Sequence, residues 1–342
     1  MSSLPFTIVD VFSGTPFQGN PLAVVDARDH RLSDTQMKLL TRQFNLSETT
    51  FFFRPASTNS KADYTLRSFL SDGKEVFGAG HNILGVWWHL ANAGLLDFST
   101  AQKVEEHDSA QHFIFHQELG GEVIPLQVAK PTTGNQQIAV AIRQARPQAH
   151  AVHPDPGALA ASLGLSVDDI GFAAHNSASL LPPQVMSTST TRHLLVPVSS
   201  VAALNHATVQ RDKLLEQLRL VDEKSYGLYL FTPVAAVETG GVPTLEARFF
   251  SPGMSGEDPA TGSAAGPLAA YLHNHGVLRL DGDGRGKAVV HQGLRVGRRC
   301  VINVEVTLPQ GGDKGAVDVD IVGSGVQVAK GEVLIPRDDI VF

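Results

Sequence analysis

The chain has 342 residues, 42% of them hydrophobic and 18% charged, which suits two globular cores of ordinary size and excludes a disordered or fibrous chain. Its formal net charge of −7 comes without a long acidic or basic run, and no lysine–arginine stripe suits a phosphate backbone, so nucleic acid is excluded as a partner. The one cysteine, Cys300, excludes an intrachain disulfide and any cysteine-cluster metal site.

The first dozen residues lack a basic segment followed by a longer apolar run, so they do not read as a signal peptide. Phe6–Phe12 reads as a strand, Gly14–Gly19 as a turn and Pro21–Val25 as a second strand. Ser33 with Gln36 three residues on resembles a capping box opening a helix through about Phe44. Asn45–Ser47 then turns the chain into an aromatic strand, Thr49–Phe53, and alternation resumes at Tyr64–Phe69. Asn82–Ala93 is apolar on nearly every side, which predicts a buried helix. His112 and His116 have metal-like spacing, but Phe113 and Phe115 between them predict a strand, where i and i+4 lie well apart. Lys130–Gln137 is rich in turn formers and reads as the linker between two halves, 1–132 and 133–332, with a C-terminal strand at about 333–342 returning to the first.

In the second half Ala158–Leu163 and Val209–Leu220 read as surface helices, and Tyr226–Phe231 and Leu245–Phe250 as strands. Ser263–His275 is a small-residue, apolar helix, with Pro267 taken as near enough its start to be tolerated. Strands with glycine turns follow. Gly282–Ala288 lacks the first glycine and the final Ser/Thr of a phosphate-binding loop, and Gly323-Ser324-Gly325 lacks the strand-to-helix context of a nucleophile elbow. No cofactor and no metal are therefore expected. The longest apolar stretches, near Ile83–Leu90 and Gly266–Leu272, are too short to span a bilayer, so a cytoplasmic protein without a membrane partner is expected.

An internal echo turns these elements into an architecture. When Glu75–Gly94 is laid on Glu257–Gly276, the pairs Glu75/Glu257, Gly80/Gly262, Leu90/Leu272, Asn92/Asn274 and Gly94/Gly276 coincide. One residue of slippage earlier, Arg67 and Phe69 meet Arg248 and Phe250, and further back Ser47 and Phe53 meet Ser225 and Phe231. Two homologous halves follow. Each carries a glycine-led helix start, Gly80-His81-Asn82 and Gly262-Ser263-Ala264, whose unpaired N–H groups and positive helix end suit an anion. One such start alone is only a cap; the pairing points to a small anionic substrate held between the halves. The acid–base chemistry is not symmetric, because Glu48 meets Tyr226 by register. Beside Phe51–Phe53 its carboxyl is expected to be partly desolvated and its pKa raised, against the plain alternative of an exposed turn glutamate. His81 suits either donation to an anion or a plain capping or core role, and Asp258 either orients that chemistry or meets the helix dipole.

The blocks Val9-Asp10-Val11-Phe12, Phe17-Gln18-Gly19-Asn20-Pro21-Leu22-Ala23-Val24-Val25, Asn45-Leu46-Ser47-Glu48-Thr49, Gly80-His81, Arg248-Phe249-Phe250, Glu257-Asp258-Pro259-Ala260-Thr261-Gly262-Ser263-Ala264, Gln292-Gly293 and Gly297-Arg298 carry a resemblance over nearly the whole chain. It resembles the PhzF-like isomerases of phenazine biosynthesis, within the diaminopimelate epimerase-like fold. The resemblance implies an α/β (α+β) chain of two pseudo-symmetric domains, each a curved mixed sheet wrapped around a central helix, with the active site in the cleft. It implies a homodimeric, cofactor- and metal-independent isomerase in which Glu48 shuttles a proton on a small cyclic carboxylate, with His81 and Asp258 supporting it. Asn20, Ser47, Gly80, Asn82, Gly262, Ser263 and Ala264 would then hold the substrate. Asn82 and Ile83 depart from the Pro or Ala and then Thr usual after Gly80-His81, which alters the pocket beside the histidine. The two thiols of diaminopimelate epimerases are missing, since Ala79 precedes Gly80 and no cysteine lies near Gly262. An epimerase- or lyase-type reaction on an amino-acid-derived metabolite, or a catalytically idle binding member, remain as alternatives.

Overall fold

The computed structural model describes residues 2–57, 59–78, 80–104, 110–132, 137–174, 178–188, 191–235, 241–254, 256–309 and 316–342. The chain divides into two compact units, Met1–Ile142 with Val322–Phe342, and Arg143–Ile321. Of the linker expected over Lys130–Gln137, residues 133–136 lie outside the described residues.

In chain order the first unit holds β1 (Ser3–Val11), β2 (Asn20–Asp26), α1 (Asp34–Phe44), β3 (Glu48–Phe53), β4 (Tyr64–Leu70), the short β5 (Glu75–Val76), α2 (His81–Asn92), β6 (Gln102–Val104), β7 (Gln111–Leu119), β8 (Glu122–Lys130) and, running to its boundary, β9 (Ala139–Arg143). The second holds β10 (Gln148–Val152), α3 (Pro156–Ser162), β11 (Gln184–Ser187), β12 (Arg192–Pro197), α4 (Val201–His206), α5 (Arg211–Val221), β13 (Ser225–Pro233), β14 (Thr244–Phe250), β15 (Glu257–Asp258), α6 (Gly262–Asn274), β16 (Arg285–Gln292) and β17 (Cys300–Thr307). The chain then runs through β18 (Asp318–Gly323) and returns to the first unit as β19 (Gly325–Leu334).

The strands of each unit pair in mixed orientation, and the pairing follows one scheme. In the first unit β1, β2, β3, β4, β7 and β8 pair in turn antiparallel, parallel, antiparallel, parallel and antiparallel. In the second, β11, β12, β13, β14, β16 and β17 repeat that sequence of orientations. Beside β1 lies β19, antiparallel from Ser3↔Leu334 to Val11↔Gly325.

Each sheet wraps one helix that is apolar on all sides. α2 packs against β1, β2, β3, β8 and β19, with Ile83, Leu84, Val86, Trp87 and Leu90 all buried, and the Trp87 indole N–H donates to Gln117 Oε1 at 2.8 Å. α6 packs against β11, β16 and β17. Two glycines permit this closeness: a Cβ on Gly85 would stand 2.7 Å from Leu22 and Val11, and one on Gly266 1.9 Å from Gln144 Oε1. α1, α3 and α5 are amphipathic. Met37 and Leu40 of α1 join Leu4, Val25, Phe51 and Phe69, while Leu159, Leu214 and Leu218 of α3 and α5 join Val196, Leu228 and Leu230.

Pro267 corrects an expectation. α6 begins at Gly262, so Pro267 lies in its second turn and removes the N–H that would have met the Ser263 carbonyl; the proline is inside the helix, not within its unpaired first turn. His112 and His116 lie on β7 as the phenylalanines predicted. Among the described residues no helix is long and apolar enough to cross a membrane.

The echo in the sequence is a repeated device in space. Arg67 donates through Nε and Nη2 to both oxygens of Glu75 at 2.7 Å, and its guanidinium stands 5.1 Å from the Phe69 ring centroid. Arg248 donates through Nε and Nη2 to Glu257 at 3.1 and 2.9 Å and stands 4.8 Å from the Phe250 ring. Each pair joins a long strand to the short strand that leads to the central helix, β4 to β5 and β14 to β15.

Candidate active site

In the first unit the candidate residues converge on the start of α2. Ser33 and Gln36 form the expected capping box on α1, and Asn45 ends that helix in the left-handed region with φ 51°, a conformation its short polar side chain tolerates. That reversal delivers Glu48 as the first residue of β3, opposite Leu22 on one side and Leu70 on the other. Asn20, fully buried, opens the neighbouring β2, and its Oδ1 accepts from Ser47 Oγ at 3.5 Å. Asp10, buried on β1, accepts the Phe17 N–H at 2.7 Å and so holds the loop that leads to Asn20. His81, the first residue of α2, is 6% exposed.

Glu48 Oε2 lies 3.2 Å from His81 Nε2 but outside hydrogen-bond geometry, and it has no hydrogen-bond partner among the described residues. The Glu48 side chain keeps 19% of its surface accessible, yet the protein packed around the carboxyl disfavours its charged form and raises the pKa from 4.5 to about 7. This is a carboxyl that exchanges protons near neutrality, which an exposed turn glutamate is not.

Gly80 caps α2 without a side-chain bond, and a Cβ there would come no closer than 3.6 Å to any neighbour, so packing alone does not require glycine. The first N–H groups of α2, at His81 and Asn82, have no intrahelical acceptor by helix geometry. The Asn82 side chain is engaged: its Nδ2 donates to Ser68 Oγ at 3.1 Å, and Ser68 is 2.8 Å from Thr50 Oγ1, a buried chain tying α2 to β3 and β4.

In the second unit Asp258 ends β15, 9% exposed, and its Oδ2 accepts from Thr261 Oγ1 at 2.6 Å. Gln292, fully buried, knits this corner together. Its Nε2 donates to the Asp258 carbonyl at 2.8 Å, and its Oε1 accepts the Thr261 N–H at 3.1 Å and the Tyr229 hydroxyl at 2.9 Å. Gln144 Nε2 donates to the Gly262 carbonyl at 3.0 Å. Of the three backbone donors expected here, the Ala264 N–H is bonded to the Thr261 carbonyl at 3.1 Å in a tight first turn. Ser263 Oγ lies 3.2 Å from Nε2 of His193, a fully buried β12 residue whose pKa burial lowers to about 3.

Thus Asn20, Ser47, Glu48, Gly80, His81 and Asn82 gather in one unit, and Asp258, Gly262, Ser263 and Ala264 in the other. His193 and Gln144 went unread in the sequence; Gln292 stood in a quoted motif without a role. Cys300, buried on β17 opposite Gln292, is fully enclosed. Among the described residues no group of three or more His, Cys, Asp or Glu is placed to hold a metal ion.

A family profile described as phenazine biosynthesis-like protein (PhzC-PhzF) matches residues 9–331. A trans-2,3-dihydro-3-hydroxyanthranilate isomerase of Pseudomonas chlororaphis is 27% identical over 334 residues, 96% of this chain and 99% of that protein. An uncharacterized isomerase of Mesorhizobium japonicum is 29% identical, spanning 98% of this chain and 100% of its own. Among solved structures, a Bacillus anthracis phenazine biosynthesis protein of the PhzF family superposes with a TM-score of 0.75 at 25% identity, over 98% of this chain and 100% of that one.

Proposed function

This chain belongs to the phenazine biosynthesis-like PhzC-PhzF family, and from that premise we propose that it is an isomerase moving a proton on a small cyclic carboxylate, with Glu48 as the acid–base group. The observation that carries this reading is the state of Glu48, a carboxyl with a pKa of about 7, one oxygen without a hydrogen-bond partner among the described residues, and His81 Nε2 3.2 Å away. A base poised near neutrality takes a proton from carbon and, once protonated, is acid enough to return it. The substrate class is a cyclic dienoic acid of the kind named for the Pseudomonas chlororaphis relative.

The ionised Glu48 removes a proton from one ring carbon, the electron pair moves through the conjugated system, and the same carboxyl delivers the proton to a second carbon. Charge developing on the ring is met by the His81 side chain, and the carboxylate by donors at a glycine-led helix start, where the positive helix end favours an anion. The second carboxyl, Asp258, is bonded to Thr261 and serves as an orienting group at the start of α6.

With one base, the proton leaves and returns on the same face. Glu48→Gln keeps the shape but cannot accept a proton, so turnover of trans-2,3-dihydro-3-hydroxyanthranilate should fall by roughly 10²–10⁴-fold. In deuterated water, label should enter the product only on the face from which the proton was taken. Label on the opposite face, or a Glu48→Gln variant near the wild-type rate, would overturn the reading.

A further inference from the structure

His193 is absent from the chemistry above, yet it is fully buried and touches Ser263 at the start of α6. Its ring is enclosed by aromatic side chains, with Phe249 at 5.2 Å and 85° and Tyr226 at 6.1 Å and 73° between centroids. Such surroundings hold the imidazole neutral at every working pH, so it carries a single N–H. Where that proton resides decides what Ser263 can do.

Nδ1 has no hydrogen-bond partner among the described residues, whereas Nε2 lies 3.2 Å from Ser263 Oγ. A proton on Nδ1 would leave a buried donor unsatisfied and draw the serine O–H onto Nε2. A proton on Nε2 satisfies the donor and leaves only a bare acceptor lone pair, the less costly orphan. Ser263 Oγ then accepts from His193 and its own hydrogen must point elsewhere. The serine is half-buried and makes no other side-chain hydrogen bond among the described residues, so that hydrogen is available to a ligand.

We propose that His193 is a positioning residue that fixes the Ser263 hydroxyl as a one-way hydrogen-bond donor, so that the start of α6 selects an acceptor-only group, a carboxylate. Because the ring stays neutral, this donor does not switch with pH, in contrast to Glu48. The inference rests on the reading of the protein as an enzyme for carboxylates, but its first test needs no ligand. Imidazole nitrogen NMR of the whole protein, with His193 assigned by its loss in His193→Phe, should give a protonated-type shift for Nε2 and an unprotonated-type shift for Nδ1. The reverse pattern, or a doubly protonated ring, would overturn it.

The second test uses anthranilate as a carboxylate probe, followed by calorimetry. His193→Phe and Ser263→Ala should each weaken binding ~tenfold, and the double variant no further. His193→Gln, whose amide N–H replaces Nε2–H, should bind within about threefold of wild type. Full-strength binding by His193→Phe, or equal losses for Phe and Gln, would sink the positioning role, as would wild-type protein that ignores anthranilate. Failure of the Glu48 mechanism shows separately, in turnover of Glu48→Gln.

Discussion

Glu48 sits at a position of conflict between packing and charge. Its carboxyl is surrounded closely enough that the folded protein prefers it protonated, with a pKa near 7 against 4.5 for the ordinary side chain. The folded state therefore holds that proton more tightly than the unfolded chain, so stability falls as pH rises from about 4.5 to about 7 and the cost stays complete above that. Glutamine removes the charge at every pH. Glu48→Gln should accordingly match wild type in urea unfolding at pH 4 and exceed it by about 1–3 kcal/mol at pH 8. Equal midpoints at both pH values would show that the carboxyl is well solvated. The same balance is what acid–base work at neutral pH needs, so the residue suited to the proposed chemistry is one the fold tolerates at a loss.

At the scale of elements the two Arg–Glu devices are alike in connectivity and unlike in environment. Arg248 and Glu257 are 10% and 6% exposed, and Arg248 Nη1 also donates to the carbonyls of Leu204 and Ala207 at 2.8 and 2.9 Å. Arg67 and Glu75 are 29% and 24% exposed. Arg248→Met should therefore cost about 3–5 kcal/mol by stranding a buried carboxylate, whereas Arg67→Met should cost ~1 kcal/mol. Denaturant titration of both variants tests this, and equal losses would contradict it. These devices were legible in the sequence because they repeat in order, Arg-x-Phe and then Glu, and the central helices because α2 and α6 are apolar all round. Glu48 was legible as a candidate through Phe51–Phe53, although its depth of burial was not. β12 and His193 were not legible: Arg192–Pro197 is a short apolar run without alternation, and the partners of His193 are brought to it by the parallel pairing of β12 with β13 and by a helix seventy residues on. α4, six residues long, is too short to show a period. The bond from the Ala264 N–H was not legible either, because N–H groups in a first turn have no α-helical acceptor, while a tight turn onto Thr261 supplies one.

For the whole molecule the connectivity matters more than any single contact. The second unit is one continuous stretch, Arg143–Ile321, whereas the first is completed by β19 along the full length of β1. Removing residues 325–342 should leave Leu4 and Val9 without their covering strand and abolish amide protection in β1 and β2, while β13 and β14 keep theirs. Hydrogen exchange on the shortened chain checks this, and protected β1 amides would refute it. Synthesis on the ribosome gives the feature a further meaning. The 323 residues that follow Val11, up to and including Leu334, take roughly 15–65 s to assemble at ~5–20 residues per second. Through that interval β1 has emerged but one of its edges has no partner, the condition in which strands pair with the wrong chain. A strand made long before its partner is thus late to close, and the polypeptide must shelter an open edge while a complete unit folds downstream of it.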